Sequence, residues 1–304
     1  MQRCCQPRRR LELDQGRFTL GKSKIQRPNR VRRYSCLLLS ACLGALTIGA
    51  PLLAAERPVD PALRAAVDSS ARSRENKARD KYRHPLQTLT FFGIRSNMTV
   101  VELWPFGGWY TEILAPYLRD HGRLYEAAMD PASTNSEDME MNSQLKAMFA
   151  AHPQLFDKVR LSVLAPGKMQ IAPDGSADMV LTFRNIHNWV WAGMQKEVFT
   201  AAFRALKPGG ILGVEEHRSN DPNAVPPNGQ AYVGEQYAIR LIESVGFKLV
   251  GRSDINRNPK DTKDYPKGVW TLPPTYAEGN KDRAKYAAIG ESDRFTLKFI
   301  KPMS

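Results

Sequence analysis

The chain has 304 residues, 44 Lys/Arg against 31 Asp/Glu and a formal net charge of +13, and it is long enough to bury a sizeable core. Residues 1–55 hold 11 of those basic and 2 of the acidic residues, so the rest is only +4, which argues against nucleic acid as a partner of the folded part. All four cysteines, Cys4, Cys5, Cys36 and Cys42, precede residue 56, so disulfides, zinc–thiolate sites and cysteine nucleophiles are excluded beyond it.

In chain order, Arg30, Arg32 and Arg33 lead into an apolar run from Cys36 to Gly49, then small residues to Ala55 before Glu56. Basic flank, short apolar core and small residues make a secretory signal peptide, and the run is short for a membrane span. The expected location is periplasmic or secreted, with any membrane association made through this leader. An uncleaved anchor, lipidation at Cys42 and a twin-arginine signal at Arg32-Arg33 are alternatives, and the long stretch ahead of Arg30 points to Val31 as the translation start.

Pro61 to Tyr82 is rich in Ala, Arg and Lys, which predicts a solvated leading helix lying against the domain within residues 56–83, ended by His84-Pro85. Leu86 to Gly93 reads as a second short helix. Thr99-Val-Val101 is a β-branched run suited to a buried strand. Glu102 ends it, Pro105, Gly107 and Gly108 turn the chain, and Trp109 to Leu118 has the spacing of a helix with one apolar face. Strand, glycine turn and helix together present backbone N–H groups at a strand's carboxyl end.

Further strands are expected at Gly122–Asp130, Val159–Leu164, Ala177–Phe183, Ile211–Val214, Phe247–Arg252 and Arg294–Ile300. Helices are expected from the Pro131–Asn142 loop to Ala151, over Val198–Leu206, and over Tyr232–Val245. Lys207-Pro-Gly-Gly210 reads as a break, and Asn220–Gly229, with three prolines, as an irregular loop and candidate lid. The alternation predicts an α/β domain over 84–304: a Rossmann-like, mainly parallel seven-stranded sheet with helices on both faces.

These elements carry motifs in a telling order: Val100-Val-Glu-Leu-Trp-Pro105, Gly107-Gly-Trp-Tyr-Thr-Glu-Ile-Leu114, Ala177-Asp-Met-Val180, Asn185-Ile-His-Asn-Trp189, Leu206-Lys-Pro-Gly-Gly-Ile-Leu212 and Glu243-Ser-Val-Gly-Phe247. From about His84 to Ile300 the chain resembles class I S-adenosylmethionine (SAM)-dependent methyltransferases, and most of all a secreted group whose first motif reads roughly VVEIWPGGGWYTEIL. The resemblance implies SAM as cofactor and a small-molecule methyl acceptor. It implies that Glu102 lies near the methionine end of SAM, with Trp104, Gly107 and Gly108 in the turn. Asp130, or else Glu126, corresponds to the acid that holds the ribose hydroxyls. Asn185 and His187 fall where the family places residues facing the methyl group and acceptor. One departure stands out: Trp104 and Phe106 occupy the first two positions where the wider superfamily uses glycine, a residue that reaches φ > 0 without strain.

Methyl transfer from a sulfonium needs alignment and sometimes proton removal, which suits His187 as base; bonding of turn backbone explains it equally well. Trp189, His217 and Tyr237 are candidate substrate contacts, with core packing or a solvated strand end as the plainer readings. Glu216, His217 and His187 show no ligand pair at a characteristic metal spacing, so no metal is expected. The competing function is a non-catalytic exported binding protein with a degenerate methyltransferase fold.

Overall fold

The computed structural model describes residues 59–303. The leader expectations, residues 1–55, lie outside the described residues. In chain order the elements are α1 (Pro61–Asp68), α2 (Arg74–Lys77), α3 (Asp80–Arg83), α4 (Pro85–Phe92), β1 (Thr99–Leu103), α5 (Thr111–Leu118), β2 (Arg123–Ala128), α6 (Ser136–Ala151), α7 (Pro153–Phe156) and β3 (Arg160–Val163). Then follow β4 (Ala177–Phe183), α8 (Ile186–Trp191), α9 (Gln195–Ala205), β5 (Leu206–His217), α10 (Glu235–Glu243), β6 (Lys248–Ser253), α11 (Arg283–Ile289) and β7 (Arg294–Ile300).

The seven strands form one sheet in the order β3-β2-β1-β4-β5-β7-β6. The first five are mutually parallel, and β7 runs antiparallel to both β5 and β6. The sheet is therefore mixed, parallel over most of its width. Side chains alternate between its faces. Val100, Met179 and Leu181 join Leu63, Leu89, Ile113 and Phe156 in one core; Val101, Leu103 and Val180 join Trp189, Val198, Phe199 and Ile239 in the other. Helices thus cover both faces. Each fully buried Ile, Leu or Val contributes roughly 1.5–3 kcal/mol by leaving water. No helix among the described residues is long and apolar enough to cross a membrane.

Two local expectations are corrected. The single leading helix is three short ones, because polar caps interrupt it: Asp60 accepts from Ala62 N at 2.9 Å to start α1, and Ser73 Oγ accepts from Asn76 N at 3.1 Å to start α2. The segment does lie against the domain. Leu63, Ala66 and Val67 are buried, and Tyr117 of α5 donates to Asp60 Oδ2 at 2.6 Å. The break at Lys207–Gly210 falls inside a strand rather than ahead of one, since β5 starts at Leu206. Gly209 N donates to Lys301 O at 2.8 Å and Lys301 N to Gly210 O at 2.9 Å, while Gly209 takes φ 76° and the pairing with β4 jumps from Ala177–Leu206 to Met179–Ile211, an irregularity of the kind glycine marks inside a strand.

Candidate active site at the strand ends

The parallel strands β1, β4 and β5 deliver their carboxyl ends to one edge, where open α/β sheets bind ligands. After Leu103 the chain turns with Trp104 at φ 46°, Phe106 at φ 50° and Gly108 at φ 75°. The two aromatic residues hold the left-handed backbone that glycine adopts freely, at a cost of roughly 1–2 kcal/mol each. Surrounding bonds fix it: Trp104 N donates to Ala127 O at 2.9 Å, and Trp104 Nε1 to Leu164 O at 2.8 Å. Its indole meets Trp189 edge-on, with ring centroids 5.8 Å apart. The rings line the crevice without filling it. A cavity of about 450 Å³ remains, walled by Glu102, Trp104, Phe106, Gly107, Tyr110 and Arg184 among others. At Gly108 a Cβ would lie 2.4 Å from Met148 Cε, the movable end of a flexible side chain, so it is φ rather than space that calls for glycine.

Glu102 is buried and accepts from Thr111 Oγ1 at 3.0 Å. Glu126 is its register partner on β2, fully buried, with no donor facing either carboxyl oxygen. Burial pushes the Glu102 carboxyl up to about 7, with the hydrogen bond from Thr111 opposing. Burial first, and then the charge of Glu102, pushes the Glu126 carboxyl well above its usual range. Asp130 sits elsewhere. It pairs with Lys168 at 2.6 Å and caps Ala132 N at 3.0 Å, outside the cavity wall.

A second cavity, about 270 Å³, adjoins the first and is lined by His187, Asn188, His217, Trp270 and Arg294. Arg79, Arg83, Arg184, Phe106 and Phe183 border both. Glu216 organises the histidines. Its Oε2 accepts from Ile186 N at 2.6 Å and His187 N at 3.4 Å, capping α8; its Oε1 accepts from His217 N at 2.7 Å and lies 3.1 Å from His187 Nδ1. A carboxylate on Nδ1–H leaves Nε2 as the acceptor of the His187 ring. His217 Nδ1 lies 2.6 Å from Ser292 Oγ. Burial, then His187 and the arginines Arg294, Arg184 and Arg83, keep His217 neutral far below its usual range. His187, Glu216 and His217 place one ligand atom each within 4.8 Å of one another, though both Glu216 oxygens are already engaged.

Five expected site residues line neither cavity: Gly108, Asp130, Trp189, Tyr237 and Asn185. Trp189, fully buried, packs against Phe199 at 5.7 Å. Two residues on from His187, it lies about 200° around α8, facing the core. Trp191, four residues on, shares the face of His187, with ring centroids 5.1 Å apart, and Trp270 completes the aromatic wall. Tyr237 packs half-buried against the core under α10. Asn185 faces the turn: its Nδ2 donates to Leu103 O at 2.8 Å and Trp104 O at 3.4 Å, and Oδ1 has no partner. It is a positioning residue. Asn185→Ala is expected to lower stability by about 1–3 kcal/mol through the bared carbonyls, measured by urea denaturation.

The arginines were the functional residues that sequence reasoning missed. Arg79 Nε lies 2.6 Å and Arg83 Nε 3.1 Å from Glu291. Arg294 pairs with the same carboxylate and lies 3.6 Å from Glu215, and Arg184 Nη1 is 2.8 Å from Glu215.

No family model matches the chain, and no curated protein sequence does. Among solved structures, a SAM-dependent methyltransferase from Aquifex aeolicus is similar over 74% of this chain and 93% of that one, with a TM-score of 0.50 and 16% identity. The [4+2]-cyclase SpnF is similar over 78% of this chain and 86% of that one, with a TM-score of 0.52 and 14% identity. At such identities the likeness concerns the fold. The architecture that carries this site is the Rossmann-like fold of SAM-dependent methyltransferases.

Proposed function

We propose that the protein binds SAM in the larger cavity and transfers its methyl group to a small molecule held in the adjoining one. The observation that carries this reading is the open cavity beside Glu102, with the left-handed turn retained at Trp104 and Phe106. The fold alone does not decide the chemistry, as the cyclase among its neighbours illustrates. We further propose export, on the strength of the basic, apolar leader.

The residues present fit SAM. Glu102 offers a carboxylate to its ammonium or hydroxyl groups, and Gly107 and Gly108 bring backbone close. SAM supplies an electrophilic methyl on a sulfonium, whose sulfur leaves as a neutral thioether. His187 holds Nε2 as acceptor through its Glu216 contact and takes the proton released by the attacking acceptor atom. Asn185 keeps the turn in place, and Trp191 and Trp270 wall off water.

Two outcomes follow. Because Glu102 ionises only as the pH rises to about 7, SAM affinity is expected to increase from acid to neutral pH, read by quenching of Trp104 and Trp109 fluorescence. In a reaction with SAM and a fractionated small-molecule extract, S-adenosylhomocysteine is expected to form. His187→Gln is expected to slow that formation by about 10²–10⁴-fold. No fraction supporting turnover, or turnover untouched in His187→Gln, contradicts the assigned chemistry.

A further inference from the structure

Four guanidinium groups border the two cavities, and only two carboxylates are paired directly with them. Arg79, Arg83 and Arg294 converge on Glu291; Arg184 and Arg294 converge on Glu215. Of the other carboxylates, Glu216 is turned to three backbone N–H groups and His187, Glu102 lines the larger cavity and is held by Thr111, and the exposed Glu137 borders the smaller one. The directly paired carboxylates alone therefore leave the four guanidiniums two positive charges in excess. This charge is held deep, since the side chains of Arg83 and Arg294 are 6% and 2% exposed. Buried charge without a counter-charge is costly.

The donors are also underused. Arg79 and Arg83 each spend only Nε, and Arg184 only Nη1, in hydrogen bonds among the described residues, although a guanidinium carries five N–H donors. Three such groups border the space between the proposed cofactor cavity and the cavity at His187. SAM does not balance them: one carboxylate against an ammonium and a sulfonium makes it a net cation. Its arrival deepens the excess.

We infer that the methyl acceptor is a small anion, its carboxylate or phosphate group held by Arg79, Arg83 and Arg184 while the atom to be methylated faces His187. This rests on the proposed function for the word acceptor, but the anion site stands on the unused guanidinium donors that border both cavities. Planar guanidiniums bind either oxyanion bidentately, so carboxylate and phosphate share one recognition chemistry here. The smaller cavity, about 270 Å³, limits the ligand to a compact molecule. With an acceptor X–H, the X–CH₃ bond forms as the S–CH₃ bond breaks. Sulfur keeps the electron pair, and the proton passes to His187 Nε2.

The test titrates inorganic phosphate, malonate and neutral malonamide into the purified protein, following Trp270 and Trp191 fluorescence, with SAM titrated separately. Saturable binding of phosphate or malonate is expected, and none of malonamide. Phosphate alone identifies a phosphoryl-bearing acceptor and malonate alone a carboxylate-bearing one. Arg184→Gln and Arg79→Gln should each weaken the binding about tenfold or more, with Arg204→Gln, an exposed control pair with Asp174, unchanged. Arg79 is partly exposed and ends in a single ion pair, so its variant is informative even where Arg184→Gln does not fold. The inference is overturned when neither anion saturates, when malonamide matches malonate, or when Arg79→Gln binds like the parent. SAM binding without anion binding sinks the inference and spares the methyltransferase reading. Anion binding without SAM binding does the reverse.

Discussion

Glu291→Gln is expected to lower stability by about 3–5 kcal/mol, the usual result of removing one partner from a buried charge cluster. For a chain of this size that corresponds to roughly 10 °C in Tm, measured by calorimetry. Glu291 meets Arg79, Arg83 and Arg294 and is itself buried, so the substitution leaves three guanidiniums facing one another. Burial alone would raise its carboxyl, but Arg83, Arg294 and Arg79 outweigh burial and hold it well below the ordinary 4.5. A depressed carboxylate stabilises the fold above its unfolded value, and that contribution is lost as pH falls through the folded value. The parent should therefore lose stability progressively below about pH 4.5. The glutamine variant should show a flatter acid limb. An unchanged Tm would mean that the arginines are balanced by other groups.

The second large effect is expected at Glu216. One carboxylate there caps α8, accepts from His217 N and orients the His187 ring. Glu216→Ala leaves those N–H groups without their buried acceptor, costing about 2–4 kcal/mol. Glu216→Gln keeps one carbonyl oxygen and should cost less. Two readouts separate anchoring from general destabilisation. The Ile186 amide should exchange faster in Glu216→Ala than amides of β4, and the His187 ring should lose its single tautomer in nitrogen-detected NMR. Equal exchange across β4 and α8 would show that Glu216 only packs.

Much of the architecture was readable from residue order. The β-branched run at Thr99–Val101, the alternation at Arg294–Ile300 and the apolar spacing of Trp109–Leu118 are local signals, and each produced its element to within two or three residues. The left-handed turn was hidden, because aromatic residues at Trp104 and Phe106 obscure what glycine would announce. The arginine cluster was invisible for a different reason. Arg79 and Arg83 sit in a charged, Ala-rich stretch that reads as solvated, and their partner Glu291 lies 212 and 208 residues further on. Only the fold brings them together. Trp189 was a candidate substrate contact, yet helical rotation turns it from His187 into the core, whereas Trp191 does share the face of His187.

The site also explains why a mixed sheet serves this chemistry. Because β7 returns antiparallel beside β5, Arg294 at its start is the register partner of His217 at the end of β5. The loop before β7 then supplies Glu291 and Ser292 to the same cavity. A parallel strand in that place would deliver its first residues to the opposite edge.

Calorimetric titration of SAM into the protein, beside Glu102→Gln, bears most directly on the whole account. The expected result is one saturable site whose affinity drops about tenfold or more in the variant, as loss of a charged hydrogen-bond partner requires. Absence of heat up to roughly millimolar SAM, or equal affinity in both proteins, would contradict it.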